Sequence, residues 1–266
     1  MATFSDVFPN TKAVIAMAHL PPLPGTPLYD HERGIDGAVE SVLRDVEALQ
    51  AGGVDAIMFG NEGDRPYTTK ATPETLAAMA VIVSRLQPVL SVPFGVNYLW
   101  DPVASVGLAH AVGARFVREI FTGVYESDMG LWVPEGGYAV RLRAQLRSDA
   151  LLFFNINAEF ASSTGNRTVA SRAQSAVFAG LADGVCVSGP MTGQAVLVSD
   201  LADVKEVLPD TPVIANTGVR LENVLEVLQV ADAAIVGTSL KRDGNTWNPV
   251  DPDRVARFME RVRSVR

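Results

Sequence analysis

Two kinds of residue in this sequence are suited to chemistry, and both recur at intervals along the chain. The first kind is glycine beside a hydroxyl. It occurs in Ser188-Gly189-Pro190-Met191-Thr192-Gly193, in Asn216-Thr217-Gly218-Val219 and in Gly237-Thr238-Ser239-Leu240-Lys241. Glycine lets backbone N–H groups approach a ligand closely, and a following helix N-terminus adds a dipole that favours negative charge. Ser188, Gly189, Gly218, Gly237, Thr238 and Ser239 are therefore expected to hold a phosphate or another oxyanion. The alternative is that these glycines only make tight turns.

The second kind is a set of carboxylates and amides, with one histidine. Glu62 and Asp64 stand in Asn61-Glu62-Gly63-Asp64-Arg65-Pro66. They could serve as general acid and base, hold a divalent cation, or be solvated charges paired with Arg65. Asn97 is a candidate substrate contact, whereas Asp101-Pro102 just after it reads as a helix cap. Arg118 and Glu119 are neighbours, so on a strand they should point to opposite sides. Either could meet substrate, and a structural salt bridge is the alternative. Asn155, Asn157 and Glu159 alternate onto one face. Three polar groups on a buried face need partners, which are a ligand, water or one another. His19 opens the proline-rich loop His19-Leu20-Pro21-Pro22-Leu23-Pro24-Gly25, a place that suits catalysis. His110 lies in an apolar stretch and reads as structural. No Ser/His/Asp or Cys/His order stands out, and no zinc-type spacing occurs. Cys186, the sole cysteine, sits between two valines and reads as buried filler rather than a nucleophile.

These residues need elements to position them. Short apolar runs fall at 13–18, 55–59, 89–96, 115–121, 150–156, 184–187, 212–215 and 233–236. They are rich in β-branched or aromatic residues, which is the pattern of parallel strands buried on both faces. Between them, Ile35, Val39, Val42, Leu43, Val46 and Leu49 repeat at helical spacing, as do Val255, Phe258, Met259 and Val262. Thr72-Pro73 and Asp251-Pro252 place a cap residue before a proline at the first helical position. Eight strand–helix units in 266 residues predict a single (β/α)8 barrel domain spanning 1–266, rather than an open doubly wound sheet. In such a barrel the candidate groups all follow strands and gather at the C-terminal mouth.

Composition narrows the partners. The net charge is −8, and an acidic surface repels phosphate backbones and anionic lipid, so nucleic acid is not the expected partner. No apolar run reaches the roughly 18 residues of a membrane span, and no signal-type apolar region opens the chain. One cysteine allows no intrachain disulfide, which fits a reducing, cytoplasmic setting. Self-association into a homo-oligomer is left open.

The loops taken together resemble a known family. His19 to Tyr29, Gly53-Val54-Asp55-Ala56, Asn61 with Gly63-Asp64, Gly95-Val96-Asn97, Thr122-Gly123, Val187-Ser188-Gly189 with Thr192-Gly193, and Val236 to Lys241 continuing into Asn248-Pro249-Val250-Asp251-Pro252 are similar to the BtpA/SgcQ family. The resemblance implies a ribulose-phosphate-binding type of barrel. It also implies links to carbohydrate or nucleoside genes in some members and to photosystem I biogenesis in others. Measured against that pattern, Trp100 replaces an arginine and Glu119 an asparagine. Asn155, Asn157 and Glu159 stand where the family carries aspartate, histidine and lysine. The expectation is an enzyme acting on a small phosphorylated sugar or nucleoside-like substrate by isomerisation, lyase cleavage or glycosidic hydrolysis, without an organic cofactor. Asp64, Glu62, Glu159 and His19 would be the catalytic candidates. Asn97, Arg118, Glu119, Asn155 and Asn157 would orient the substrate. The alternative is a non-catalytic ligand-binding or membrane-complex biogenesis factor.

Overall fold

Each of the eight apolar runs contains a strand, and the strands close on themselves. The computed structural model describes residues 2–266. The strands are β1 (Ala13–His19), β2 (Ala56–Gly60), β3 (Phe94–Asn97), β4 (Phe116–Glu119), β5 (Leu151–Asn155), β6 (Gly184–Val187), β7 (Val213–Ala215) and β8 (Ala233–Val236). Every strand pairs in parallel with the next, and β8 pairs with β1, where Ala13 to Ala16 lie opposite Ala233 to Val236. The result is a closed (β/α)8 barrel. β3 is shorter than the apolar run 89–96 predicts. Pro93 cannot donate a ladder hydrogen bond, and a 3-10 turn takes Gln87–Val89 instead.

Alternation along the strands sorts two cores. Ile15, Met17, Met58, Phe116, Phe153, Cys186, Ile214 and Ile235 fill the barrel interior. Val14, Ile57, Val96, Val117, Leu152, Val185 and Val213 point outward into the helical shell. Gly95 has no side chain because the Phe116 ring occupies that space. The N-terminal end of the barrel is plugged by the short helix Phe4–Val7 and by Phe8, whose ring lies 5.4 Å from Phe116 and 6.1 Å from Phe153. With the bottom stoppered by aromatic rings, the C-terminal mouth is the end left for a ligand.

Helix starts follow the cap chemistry read from the sequence. Asp101 accepts from the Val103 and Ala104 amides, and Asp251 from those of Asp253 and Arg254. Thr72 occupies its cap position without a side-chain cap bond, its hydroxyl pairing with that of Thr75 at 3.0 Å. One further element was not expected from the sequence. Tyr125–Ser127, Gly130–Trp132 and Ala161–Ser163 form a three-stranded antiparallel sheet, built from the segments that follow β4 and β5. Among the described residues, no helix is long and apolar enough to cross a membrane.

Candidate functional site

The strand ends converge on a cavity of about 510 Å³ at the C-terminal mouth. His19, Glu62, Arg118, Glu119, Asn155 and Glu159 border it, as do Gly218, Gly237, Thr238 and Ser239. Ten of the fifteen residues singled out by sequence thus share one space, contributed by or just after β1, β2, β4, β5, β7 and β8.

The floor is built from inward positions near the strand tops. Arg118 is buried, makes no ion pair among the described residues, and its Nε has no hydrogen-bond partner. Glu62 comes next in inward phase after Gly60, whose missing side chain makes room for it. A Cβ at Gly60 would lie 2.6 Å from the Glu62 carboxylate. Burial pushes the Glu62 carboxyl up to about 7, against the opposing pull of Arg118. Its Oε2 is unpartnered, and its Oε1 lies 3.8 Å from His19 Nε2. Burial, reinforced by Lys241 and Arg118, drives the His19 imidazole down to about 3, so it is neutral at physiological pH and its Nδ1 is unpartnered. Gly237 leaves room for that ring, which a Cβ there would approach to 3.1 Å.

Two further carboxyls flank the floor. Glu119 is raised to about 7 by burial, opposed by Arg118. It accepts from Asn97 Nδ2 at 2.7 Å and from the Trp100 amide at 3.2 Å. Arg118 and Glu119 therefore both border the cavity, although they are neighbours on one strand. Glu119, still in register with Phe154, is held toward the end of β3 by Asn97 and the Trp100 amide. Glu159 is raised by burial, with Arg118, Thr192 and Ser188 opposing. It accepts from the Thr192 hydroxyl at 3.1 Å, Asn216 Nδ2 at 3.1 Å and the Ser188 hydroxyl at 3.3 Å. Of the three carboxyls, Glu62 alone has a buried unmatched oxygen, so it is the one freest to exchange a proton.

Five candidates lie off this cavity, for identifiable reasons. Asp64 accepts from the Leu23 amide at 2.8 Å and Asn61 Nδ2 at 3.0 Å, tying the proline-rich loop to the β2 loop. It borders a separate pocket of about 240 Å³ with Thr26, Thr72 and Tyr98. Asn97 reaches the site only through Glu119. The strand that ends at Asn155 does not continue its alternation. Asn157 instead clamps the Ser188 backbone, donating to its carbonyl and accepting from its amide at 2.8 Å. Ser188 is a link in the Asn155–Asn216–Glu159 network. The Gly189 amide donates to Thr217 Oγ1, and a Cβ there would meet the Gln194 carbonyl, so this glycine serves packing. Glu62, Asp64 and Glu119 do not form a cation site. Among the described residues, no group of three His, Cys, Asp or Glu is placed to hold a metal ion. Cys186 is buried, and desolvation pushes its thiol up to about 12.

The structure also adds residues that sequence reasoning did not name. Arg220, Arg254 and Arg257 border the cavity beside the glycine loops of β7 and β8. Arg254 lies in the first turn of the helix Pro252–Arg263, where a cation opposes the helix dipole. That mismatch was the available signal. Thr192 and Asn216 join the polar rim, and Tyr67, Leu99, Trp100, Ile120 and Phe160 form an apolar wall.

The class is a (β/α)8 barrel with an open C-terminal cavity, polar at its floor and cationic along the β7–β8 rim. Residues 10–264 match the BtpA family model, and the chain belongs to that family. It is 48% identical over 267 residues to the putative sgc region protein SgcQ of Escherichia coli (strain K12), covering 100% of both chains. It is 33% identical over 258 residues to the photosystem I biogenesis protein BtpA of Synechocystis sp., covering 96% of this chain and 89% of that one. Among solved structures, phosphoribosyl anthranilate isomerase from Thermus thermophilus superposes with a TM-score of 0.60 at 13% identity, covering 96% of this chain and 100% of that one. At that identity the likeness speaks for the fold alone.

Proposed function

We propose that this protein is an enzyme of proton-transfer chemistry, acting on a small phosphorylated sugar or nucleoside-like substrate in the C-terminal cavity. The observation that carries the reading is a set of buried polar atoms on cavity-lining residues with no partner among the described residues: His19 Nδ1, Glu62 Oε2, Trp100 Nε1, Arg118 Nε, Asn155 Nδ2 and Asn216 Oδ1. Buried polar atoms are ordinarily satisfied, and six unmet ones on residues around one space support reading it as a binding surface.

The roles follow from the environments. A carboxyl held near 7 is well matched to giving or taking a proton at neutral pH, which makes Glu62 the general acid–base group. His19, neutral, donates or accepts a hydrogen bond without carrying charge. Arg118 stabilises negative charge that develops on a substrate oxygen in a site shielded from water. Asn155 and Asn216 orient hydroxyl groups, and Glu159 is held in place by its three donors. The phosphate lies against Gly218, Gly237, Thr238 and Ser239, with Arg220, Arg254 and Arg257 adding positive potential. Isomerisation, lyase cleavage and glycosidic hydrolysis all run through such groups.

The test is a thermal-shift screen of the purified chain against phosphorylated sugars and nucleosides, followed by phosphorus NMR of the mixtures that stabilise it. Stabilisation by phosphorylated compounds over their unphosphorylated counterparts, with conversion of at least one, supports the reading. No shift with any phosphorylated compound sinks it. Stabilisation without conversion across the panel favours a second reading, a non-catalytic assembly factor, which draws on the identity to the Synechocystis photosystem I biogenesis protein.

A further inference from the structure

The apolar wall has no role in the chemistry assigned above. Tyr67, Leu99, Trp100, Ile120 and Phe160 come from the segments that follow β2, β3, β4 and β5. In the closed strand order, β3 and β4 stand across the barrel from β7 and β8. The wall and the glycine–arginine rim therefore occupy opposite sides of one cavity.

Trp100 is built into this wall with unusual care. Its φ is +72°, a left-handed conformation that side-chain-bearing residues rarely adopt, and Phe160 shares the feature at +54°. The Trp100 amide is anchored on Glu119, and its ring packs edge-on against Trp132 with centroids 4.9 Å apart. Trp132 belongs to the small sheet over the β4–β5 side, so that sheet braces the wall from behind. The indole is buried, yet its Nε1–H has no acceptor among the described residues. A buried indole N–H ordinarily finds one. An apolar, aromatic wall that also offers one unmet donor matches a heteroaromatic ring, which presents a flat apolar face and a ring nitrogen or carbonyl as acceptor. The cavity, at about 510 Å³, is in the range that encloses drug-sized ligands, with room beyond a sugar phosphate.

We propose that the substrate is a ribosyl phosphate bearing a heteroaromatic ring, of the nucleoside 5′-monophosphate class, with Trp100 as the residue that selects the ring. The ring lies against Trp100, Tyr67 and Phe160, the ribose crosses Glu62 and Arg118, and the phosphate reaches Arg254 and Arg257. This rests on the reading of the cavity as a site for a phosphorylated substrate.

The experiment is calorimetric titration of the full chain, at one ionic strength, with inorganic phosphate, ribose 5-phosphate and the four 5′-ribonucleoside monophosphates. At least one nucleotide is expected to bind ~10-fold or more tightly than ribose 5-phosphate, the scale of one base–aromatic contact. Trp100→Phe keeps an aromatic ring and removes the N–H. It should cut that nucleotide's advantage over ribose 5-phosphate by about 3–10-fold, the scale of one hydrogen bond. Ribose 5-phosphate binding as tightly as every nucleotide overturns the ring assignment and leaves the phosphate reading standing. A nucleotide advantage untouched by Trp100→Phe overturns the role of Trp100. Failure of all six compounds to bind removes both readings.

Discussion

Two groups of buried charge in this barrel make an instructive pair. On the outer side of the β8 loop, Lys241 Nζ lies 2.6 Å from Asp45 Oδ2, and Asp45 Oδ1 accepts from the Val250 amide at 2.8 Å. Both side chains are buried, and neither leaves a buried polar atom unmatched. In the cavity, Arg118 and Glu62 are also buried and His19 is partly so, yet each keeps a buried atom with no partner among the described residues. The first group is closed upon itself and locks the β8 loop to the helix Gly34–Gly52. The second is held open by the fold. Burial alone does not separate the two groups, whereas unmet hydrogen bonds do: six of the eight described residues that carry a buried unmatched side-chain atom line the cavity.

Breaking the closed pair should have the largest effect. Lys241→Met leaves Asp45 charged and buried, and is expected to cost about 3–5 kcal/mol in chemical denaturation at pH 7. Adding Asp45→Leu should restore most of it. A loss within the range of an ordinary surface change would erase the contrast. Arg118→Met addresses the open group. Turnover of the substrate found by screening should fall by about 10²–10³-fold, the usual cost of one preorganised electrostatic contact. The melting temperature at pH 6 should change little, since Arg118 makes no ion pair among the described residues and Glu62 and Glu119, which it faces, hold their protons there.

Glu62→Gln separates the two groups by pH. The carboxyl loses its proton near pH 4.5 when unfolded and near pH 7 when folded. Between those values the native state holds the extra proton, so its stability declines as pH rises through that window and levels off above it. The amide removes the decline. Glu62→Gln should thus be more stable than the parent at pH 8 by about 1–3 kcal/mol and little changed at pH 4, read from denaturation curves. With Glu62 as the proton donor, the same substitution should lower turnover by about 10²–10⁴-fold at every pH, and the residual activity should no longer fall as pH rises through 7. The smallest effect belongs to the rim. Arg257→Ala should weaken phosphate binding by about 2–5-fold at low salt, and the difference should fade by 0.5 M salt because the guanidinium is exposed. An effect that survives high salt would place Arg257 among the enclosed groups instead.

The strands were legible because burial on both faces writes each of them as a short apolar run. The glycines were legible as a type but not by role. Gly218 (φ +63°) and Gly237 do border the cavity, while Gly189, in the same kind of sequence, gives its amide to Thr217. Asp64 looked equivalent to Glu62 from two residues away, yet its turn sends it to the proline-rich loop. Arg254 and Arg257 sit far along the chain on a helix whose apolar stripe dominates its pattern. The small sheet joins segments more than thirty residues apart, with no periodic signal to announce it.

By itself, the sequence determined the barrel, its open end and the chemical types that ring it, because apolar periodicity and strand-end chemistry are local properties of the chain. Tertiary structure decided which of those polar groups were consumed by partners and which were left free. It also set the carboxyl near 7 at Glu62 and the neutral imidazole at His19. Those depend on what burial brings within a few ångströms, and neighbours across a closed barrel are not written in the order of residues along it.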